Sequence, residues 1–514
     1  MSSVTPTTTE QDALLRAGID RSLRHPVMFF LTSGAAWLAV SILLGVIASW
    51  KVHSPEIMVI HIWFTDIKID FGYGWLTYGR VFPAHINALV YGWGMQAAFA
   101  VIIWLMARLS RKECTASGMI LAAGHVWNFG VALGVLGILS GNGSGMPWME
   151  FPAFAWPVLL VSYFAILIWS FIQFRVRPEG HVYISQWYIL AAMIWFPWIF
   201  ITANTLLHCM PGHPVMAAGI NAWFKSALLF LFFTPVALGA AYYLAPKVTG
   251  RAVYSYSLAK LGFWSLAVIA PWAGMQKLTG APIPYFLPYV GAAATALLFI
   301  PAAAAAVNTL KTMQSCPESM ASSPSLRFTA AGMVGLIVLA ISSVILNLPG
   351  STLPLTQFSL SGYGFDILAL YGFFTLVMFG ATYFIVPRVT RREWLSRTLI
   401  KMHFLFSVYG VIFVALIALF GGVQQGIGQE EWQVPWYSAE DRAYPYAVAT
   451  TVSWALILFS NIFFFIHLLL MWMRLGRRSS HPTLLVSSHS SHGPGPHGEE
   501  GDIDNAGPGH AAAH

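Results

Sequence analysis

Five histidines lie in or at the ends of long apolar stretches of this chain: His85, His125, His208, His403 and His467. An imidazole in such surroundings has two common uses. It ligates a metal through one ring nitrogen, or it satisfies a buried polar neighbour by hydrogen bonding. Lys225, Lys277 and Asp366 also stand inside apolar runs. In a bilayer an ionisable side chain costs about 2.5–3.5 kcal/mol to insert, so one that persists has a role or a partner. Other chemistry finds no support. Cys114, Cys209 and Cys316 are far apart and form no CxxC pair, which argues against both a disulfide frame and a thiolate metal site. The chain has no glycine-rich phosphate loop, no CxxCH and no nucleophile–base pair, so nucleotide chemistry and hydrolysis are not indicated.

The elements that must carry these residues follow from composition. The 514 residues are 57% hydrophobic and only 9% charged, against roughly 25% charged in ordinary soluble domains. Apolar runs of about 20 residues, enough to cross a hydrocarbon core of roughly 30 Å, recur along nearly the whole length. About twelve are expected, near 28–50, 84–107, 117–140, 152–174, 184–206, 222–244, 257–276, 284–307, 328–348, 364–387, 402–421 and 446–473. Lipid offers a backbone no hydrogen-bond partner, so each must be helical. The fold class is an all-α polytopic membrane bundle. No cleavable signal peptide is evident, because the first apolar run starts after a polar leader and is too long for a signal core.

Charge gives an orientation. Arg16, Arg21 and Arg24 precede the first span, Arg474, Arg477 and Arg478 follow the last, and most other cations fall in alternate loops, among them Arg108, Lys247, Arg251, Lys311, Arg388 and Arg392. This bias places both termini in the cytoplasm of a multi-pass chain in a bacterial inner membrane. The formal charge of +7 is thus a topology signal and not a nucleic-acid-binding surface. The outward loops GNGSGMPWMEFP (141–152), LPGSTLPLTQFSLSGYG (348–364) and GIGQEEWQVPWYSAEDRAYP (426–445) are rich in Trp, Pro and Gly. Such loops form a lid, a docking face, or ordinary anchors at the interface. Three segments are expected: a cytoplasmic leader at 1–27, the membrane domain at 28–473 and a disordered His/Gly-rich cytoplasmic tail at 474–514.

Four blocks carry a resemblance: VFPAHINALVYGW at 81–93, LAPKVTGRAVYSYSLAKLGFW at 244–264, PWAGMQKL at 271–278 and MHFLFSVYGVIFVALIALFGGVQQG at 402–426. Over roughly 28–473 the chain resembles subunit I of the haem–copper oxidases, most nearly the cbb-type cytochrome c oxidases and then the nitric oxide reductases. The resemblance implies a twelve-helix bundle holding a low-spin haem, a high-spin haem and a copper ion. His85 matches the helix II ligand of the low-spin haem. The other expected ligands are replaced. Counting back from GATYFIVPR at 380–388 puts the two helix X histidines at Phe365 and Ile367. Counting back from YYLAPK at 242–247 puts the helix VI copper ligand at Ser226. The paired helix VII histidines fall on Gln276 and Lys277, and the redox-active tyrosine on Ala270.

Phe and Ile have no lone pair for iron, and a lysine ammonium repels a copper ion. His85 is then either a single axial ligand of one b-type haem or an interior histidine satisfied by hydrogen bonds, the second being favoured; no copper is expected. Lys225 and Lys277 map to the edge of the vacated cavity and Asp366 between the lost helix X ligands. Asp366 is expected to pair with one of the lysines, unless both snorkel to the interface. Glu150 stands near the outer interface, and Asn87 and Asn128 suit interhelical hydrogen bonds. The expected function is a membrane subunit of a respiratory-type electron-transfer complex without an oxygen-reducing centre, alongside other membrane subunits that include a membrane-anchored cytochrome c-type protein. The rivals are an active cytochrome c oxidase or nitric oxide reductase subunit, and a transporter or quinone-binding protein on the same fold.

Overall fold

A computed structural model of the protein describes residues 8–57, 59–61, 68–70, 74–210, 212–431, 433 and 435–478. Among them twelve helices are long and apolar enough to span a bilayer. They are α1 Thr8–His53, α2 Tyr78–Leu109, α3 Ser117–Leu139, α4 Ala155–Arg175, α5 Ile184–Cys209, α6 Pro214–Thr249, α7 Tyr256–Leu278, α8 Phe286–Gln314, α9 Pro324–Leu346, α10 Ser361–Thr390, α11 Arg397–Glu430 and α12 Tyr437–Trp472. The chain is a multi-pass membrane bundle. Outside the helices, the backbones of β1 Val59–His61 and β2 Lys68–Asp70 pair antiparallel, with Val59 opposite Asp70.

The most apolar stretches of α2 and α10 are wholly buried and that of α6 is 89% buried, whereas α4, α7 and α9 are buried over only 39%. Helices α2, α6 and α10 therefore form the centre, and the rest wrap them and meet lipid with one face. All three central helices widen into π turns, at Ala88–Gly94, Leu229–Phe233 and Leu368–Thr375. Such turns insert one residue and re-aim the side chains beside them, which is why they gather at functional sites. Each lies one or two turns beyond a residue singled out from sequence: His85, Ser226 and Asp366.

The expected separate leader at 1–27 is corrected from Thr8 onward, where α1 runs unbroken into the first span. Tertiary partners extend the helix. Asp20 accepts a hydrogen bond from Trp104 Nε1 at 3.0 Å and pairs with Arg108 at 3.4 Å. Asp12 pairs with Arg111, and with Arg16 at 3.5 Å. Ile19, Leu23 and Val27 are buried beneath them. The tail is corrected over its first residues. Glu393 N–H donates to the Arg477 carbonyl at 3.0 Å and Arg392 to the Gly476 carbonyl at 3.0 Å, so 474–478 is tied to the α10–α11 connection. The remainder of the tail, 479–514, lies outside the described residues.

Close approach of α9 fixes the position of α10. A Cβ at Gly335 would fall 2.2 Å from the Gly372 carbonyl oxygen, and one at Gly332 2.6 Å from Val377. Small residues permit such backbone contact between helices in lipid, where apolar burial alone gives little net attraction. Gly335→Ala is expected to push α9 off α10 and to cost about 1–3 kcal/mol, the range for overpacking. A thermal midpoint in detergent equal to that of the parent chain would show that the contact is not tight.

Candidate functional site

One end of each of the three central helices, the end of α7 and one loop build the site. Helix α6 carries Lys225 and Ser226, and α10 carries Phe365, Asp366 and Ile367 within its first two turns. Helix α7 breaks after Ile269 and ends in a tight turn, Met275–Leu278, which holds Gln276 and Lys277. Gly274 makes that break workable at φ +110°. Any Cβ there would meet the Ala222 carbonyl at 2.5 Å and Ser226 Cβ at 2.9 Å, so α7 lies directly on α6 beside Ser226.

Asp366 is held by two groups. Lys225 Nζ stands 2.7 Å from its Oδ2, and Trp148 Nε1 donates to the same oxygen at 3.3 Å. The Lys225 ammonium also lies 5.4 Å from the centre of the Trp148 ring, in cation–π range. Lys225 is thus a partner of Asp366 and does not snorkel away. Lys277 lies 5.6 Å over the Phe365 ring and has no hydrogen-bond acceptor among the described residues, although the charges of Lys225 and Asp366 reach it. Ile367 and Ala270 are fully sealed, whereas Ser226, Lys277 and Phe365 are half-buried.

Trp148 was not a sequence candidate. Its loop turns inward as a plug: Trp148, Met149, Glu150 and Phe151 are all buried, and Trp148 takes the left-handed φ of +66°. A non-glycine residue there is strained and persists only when neighbours hold it. Here Tyr91 donates to its carbonyl at 2.8 Å and Asp366 engages its indole. The pattern MPWMEFP carried the one available signal, a Trp and a carboxylate flanked by prolines.

Glu150, two residues on, accepts a hydrogen bond from Asn87 Nδ2 at 2.5 Å. Burial pushes its acid up to about 7, against opposing pulls from the Asn87 bond and the Lys225 charge. Asn128 also bridges helices, accepting from Trp37 Nε1 at 2.8 Å and donating to Gln96 Oε1 at 3.0 Å.

The His85 ring is fully buried. Its Nδ1 faces the Ser41 carbonyl at 2.7 Å, a partner that requires the proton on Nδ1 and leaves the Nε2 lone pair free. Nε2 faces the Tyr363 hydroxyl at 3.5 Å, the Trp454 ring packs edge-on at 5.0 Å, and Gly45 closes against the imidazole. The other histidines lie elsewhere. His403 bonds the Tyr383 hydroxyl at 2.8 Å among aromatic rings, and His467 sits against Trp394. His125 is exposed beside Phe29, and His208 lines a separate pocket with Asn142 and Phe154.

The donor chemistry can be tested against the metals that the resemblance implies. A hydroxyl, an amide and an ammonium at 226, 276 and 277 do not fit a copper ion, and Phe365 and Ile367 offer iron nothing. His85 could hold one axial position at most, and only if the Tyr363 hydroxyl gave way. No three His, Cys, Asp or Glu side chains converge among the described residues.

Twelve spans among the described residues, three of them central and wrapped by the others, with the site at one end, form a bundle of the haem–copper oxidase subunit I kind. The family model described as cytochrome c and quinol oxidase polypeptide I matches residues 25–460, and the chain belongs to that family. It is similar to a cytochrome c oxidase subunit 1 from Rhodobacter capsulatus, 24% identical over 407 residues that cover 76% of this chain and 73% of the relative. A cbb3-type cytochrome c oxidase subunit, CcoN1, from Stutzerimonas stutzeri is 24% identical over 371 residues, covering 70% of this chain and 77% of that one. Among solved structures, a cryo-EM haem–copper terminal oxidase dimer aligns with a TM-score of 0.71 over 90% of this chain and 86% of the other. At 15% identity that likeness speaks for the fold alone.

Two outcomes follow from the geometry. Asp366→Asn keeps an acceptor for Trp148 but strands the Lys225 charge. It should cost about 2 kcal/mol, below the 3–5 of sealed pairs because Lys225 retains 32% of its side-chain exposure. Adding Lys225→Met should recover at least about 1 kcal/mol of that loss, while adding Lys277→Met should not. A purely additive cycle for Asp366 with Lys225 would contradict the pairing. For Glu150, a folded-state acid held above its ordinary value binds its proton more tightly in the fold than in the unfolded chain. Stability should therefore fall as pH rises from about 4.5 to about 7, by up to about 3 kcal/mol, and stay level above. Glu150→Gln should flatten that slope in a thermal-shift series.

Proposed function

We propose that this chain is an integral subunit of a respiratory-type electron-transfer complex in which the family bundle serves as a platform and does not reduce oxygen. The single observation that carries the reading is the ion pair between Lys225 and Asp366. It stands beside positions where the family resemblance calls for metal ligands, and those positions hold Ser226, Gln276, Lys277, Phe365 and Ile367. A cation placed at such a pocket opposes a metal ion directly. The partners in this reading are other membrane subunits, including a membrane-anchored cytochrome c-type protein. The membrane is the bacterial inner membrane with both termini cytoplasmic, as the loop charges favour.

A narrower second reading has its own support. The anchoring of His85 Nδ1 by the Ser41 carbonyl leaves Nε2 in the state of a metal ligand, which favours one b-type haem held from one side. The experiment is a pyridine haemochrome spectrum with iron and copper analysis of the protein purified in its native complex, referred to the amount of this chain. The first reading expects no copper and no carbon-monoxide-binding haem in this subunit. One haem lost on His85→Leu would establish the second. Two haems and one copper per chain would overturn both and restore an active oxidase or nitric oxide reductase subunit.

A further inference from the structure

Arg24 on α1 lies within reach of two like charges, Arg474 just past the end of α12 and Arg21 one turn back on α1. No carboxylate is among the charges that act on it. The acids of α1 are engaged elsewhere: Asp12 with Arg111 and Arg16, Asp20 with Arg108 and Trp104. Among the described residues, no carboxylate stands within ion-pair distance of Arg21, Arg24 or Arg474. Arg24 donates from Nη2 to His25 Nε2 at 3.0 Å, one bond from a guanidinium that carries five N–H groups. Like charges brought together from two helices repel, and an anion between them turns that cost into attraction.

Arg474 is placed in this cluster by a helix cap that ordinarily takes glycine. Its φ is +59°, its N–H donates to the Met471 carbonyl at 3.0 Å, and the Leu475 N–H donates to the Leu470 carbonyl at 3.1 Å. Those two bonds close a helix C-terminus around one left-handed residue, where a side chain costs backbone energy that glycine avoids. Arg111 adopts the same conformation past the end of α2, at φ +51°, and there Asp12 pairs with it. Arg474 has the cap without the acid. Gly476 closes against the Glu393 carbonyl, which holds the segment in place. Around Arg474, Trp472, Met473 and Leu475 are exposed, a pattern that suits the boundary between head groups and acyl chains.

We propose that Arg21, Arg24 and Arg474 bind the phosphate of an anionic phospholipid where α1 meets the end of α12. The class follows from charge and position together. A guanidinium matches two phosphate oxygens at once, and basic clusters between spanning helices at the interface suit lipid head groups. A lipid also brings acyl chains to the exposed Trp472, Met473 and Leu475, which a free phosphate would leave uncovered. A head group with no cation of its own, such as glycerol, leaves the phosphate charge to the arginines. The inference goes beyond the functional reading and stands whether or not the bundle holds a haem.

The test titrates the full-length protein in detergent with short-chain phosphatidylglycerol and, separately, with short-chain phosphatidylcholine, and counts bound lipid by native mass spectrometry. The parent should retain one phosphatidylglycerol more tightly than any phosphatidylcholine. Arg24→Gln should weaken it about fivefold, the scale of one cation at the interface. Arg474→Gly separates binding from folding, because glycine relieves the left-handed cap. Lipid affinity should fall by a similar factor while the thermal midpoint stays level or rises. Inorganic phosphate should displace the lipid only weakly. Equal affinity for the two lipids, displacement by phosphate as readily as by phosphatidylglycerol, or variants that bind as the parent does would each overturn the inference. Full-length protein carrying Glu499→Gln, Glu500→Gln, Asp502→Asn and Asp504→Asn together should bind as the parent does. A large gain in lipid affinity there would instead name that acidic segment as the occupant of the arginines.

Discussion

The half of this bundle that holds the site is organised by the rule that a charge within the bilayer must find its partner inside the protein. Lys225 and Asp366, 2.7 Å apart, tie α6 to α10, two of the three helices at the centre. Their contact fixes how those helices face each other at the site. It also gives the 140–154 loop its reason to fold inward, since the Trp148 indole completes the carboxylate and its ring covers the ammonium. Trp148 then accepts the left-handed backbone that lets Glu150 reach Asn87 on α2. One ion pair thus reaches every central helix, through a loop that would otherwise lie at the interface.

The remainder of the bundle is held by means that need no charge. Glycine contacts bring α9 onto α10 and α7 onto α6, and hydroxyl and amide side chains bridge neighbours. Tyr371 accepts from Asn461 Nδ2 at 2.6 Å, Ser407 and Ser460 are 2.5 Å apart, and the Ser460 hydroxyl donates to the His403 carbonyl at 2.9 Å. These bonds begin at Tyr371, five residues beyond Asp366 on α10, and join it to α11 and α12.

The fold was legible in the sequence because the constraint that produces it is compositional. A run of about 20 apolar residues in lipid has only a helix available to it, so twelve runs became twelve helices. Where composition turned polar the reading failed. Residues 8–27 read as a leader because their charges interrupt the apolar pattern, yet those same charges, on Asp12 and Asp20, dock the helix against Arg111, Arg108 and Trp104. The site was half legible. Spacing from the YYLAPK and GATYFIVPR blocks pointed to Ser226, Phe365 and Ile367, neighbours in sequence of the charged pair, but it could not choose between Lys225 and Lys277 as the partner of Asp366. That choice depends on the angle at which α7 meets α6, set by the break at Gly274, and on a tryptophan from a loop that shares no periodicity with the helices. The π turns were equally invisible, since one inserted residue leaves no mark in an apolar run.

Angular position explains the remaining asymmetry. Successive residues on a helix point about 100° apart, so Lys225 does not face where Ser226 faces, nor Asp366 where Phe365 and Ile367 do. The ion pair therefore stands beside the positions that the family resemblance assigns to metal ligands, and those positions hold a small hydroxyl, a half-buried ring and a sealed aliphatic side chain. Only Lys277 puts a charge on such a position. It lies on a tight turn after Gly274 that holds both Gln276 and Lys277. A charge added at the flank could be matched by a residue on the facing helix, as Lys225 is by Asp366. A charge added at the ligand position itself meets only an aromatic ring, beside a carboxylate already engaged. Lys277 therefore stands over Phe365 without a hydrogen-bond acceptor among the described residues, because Lys225 has taken the carboxylate.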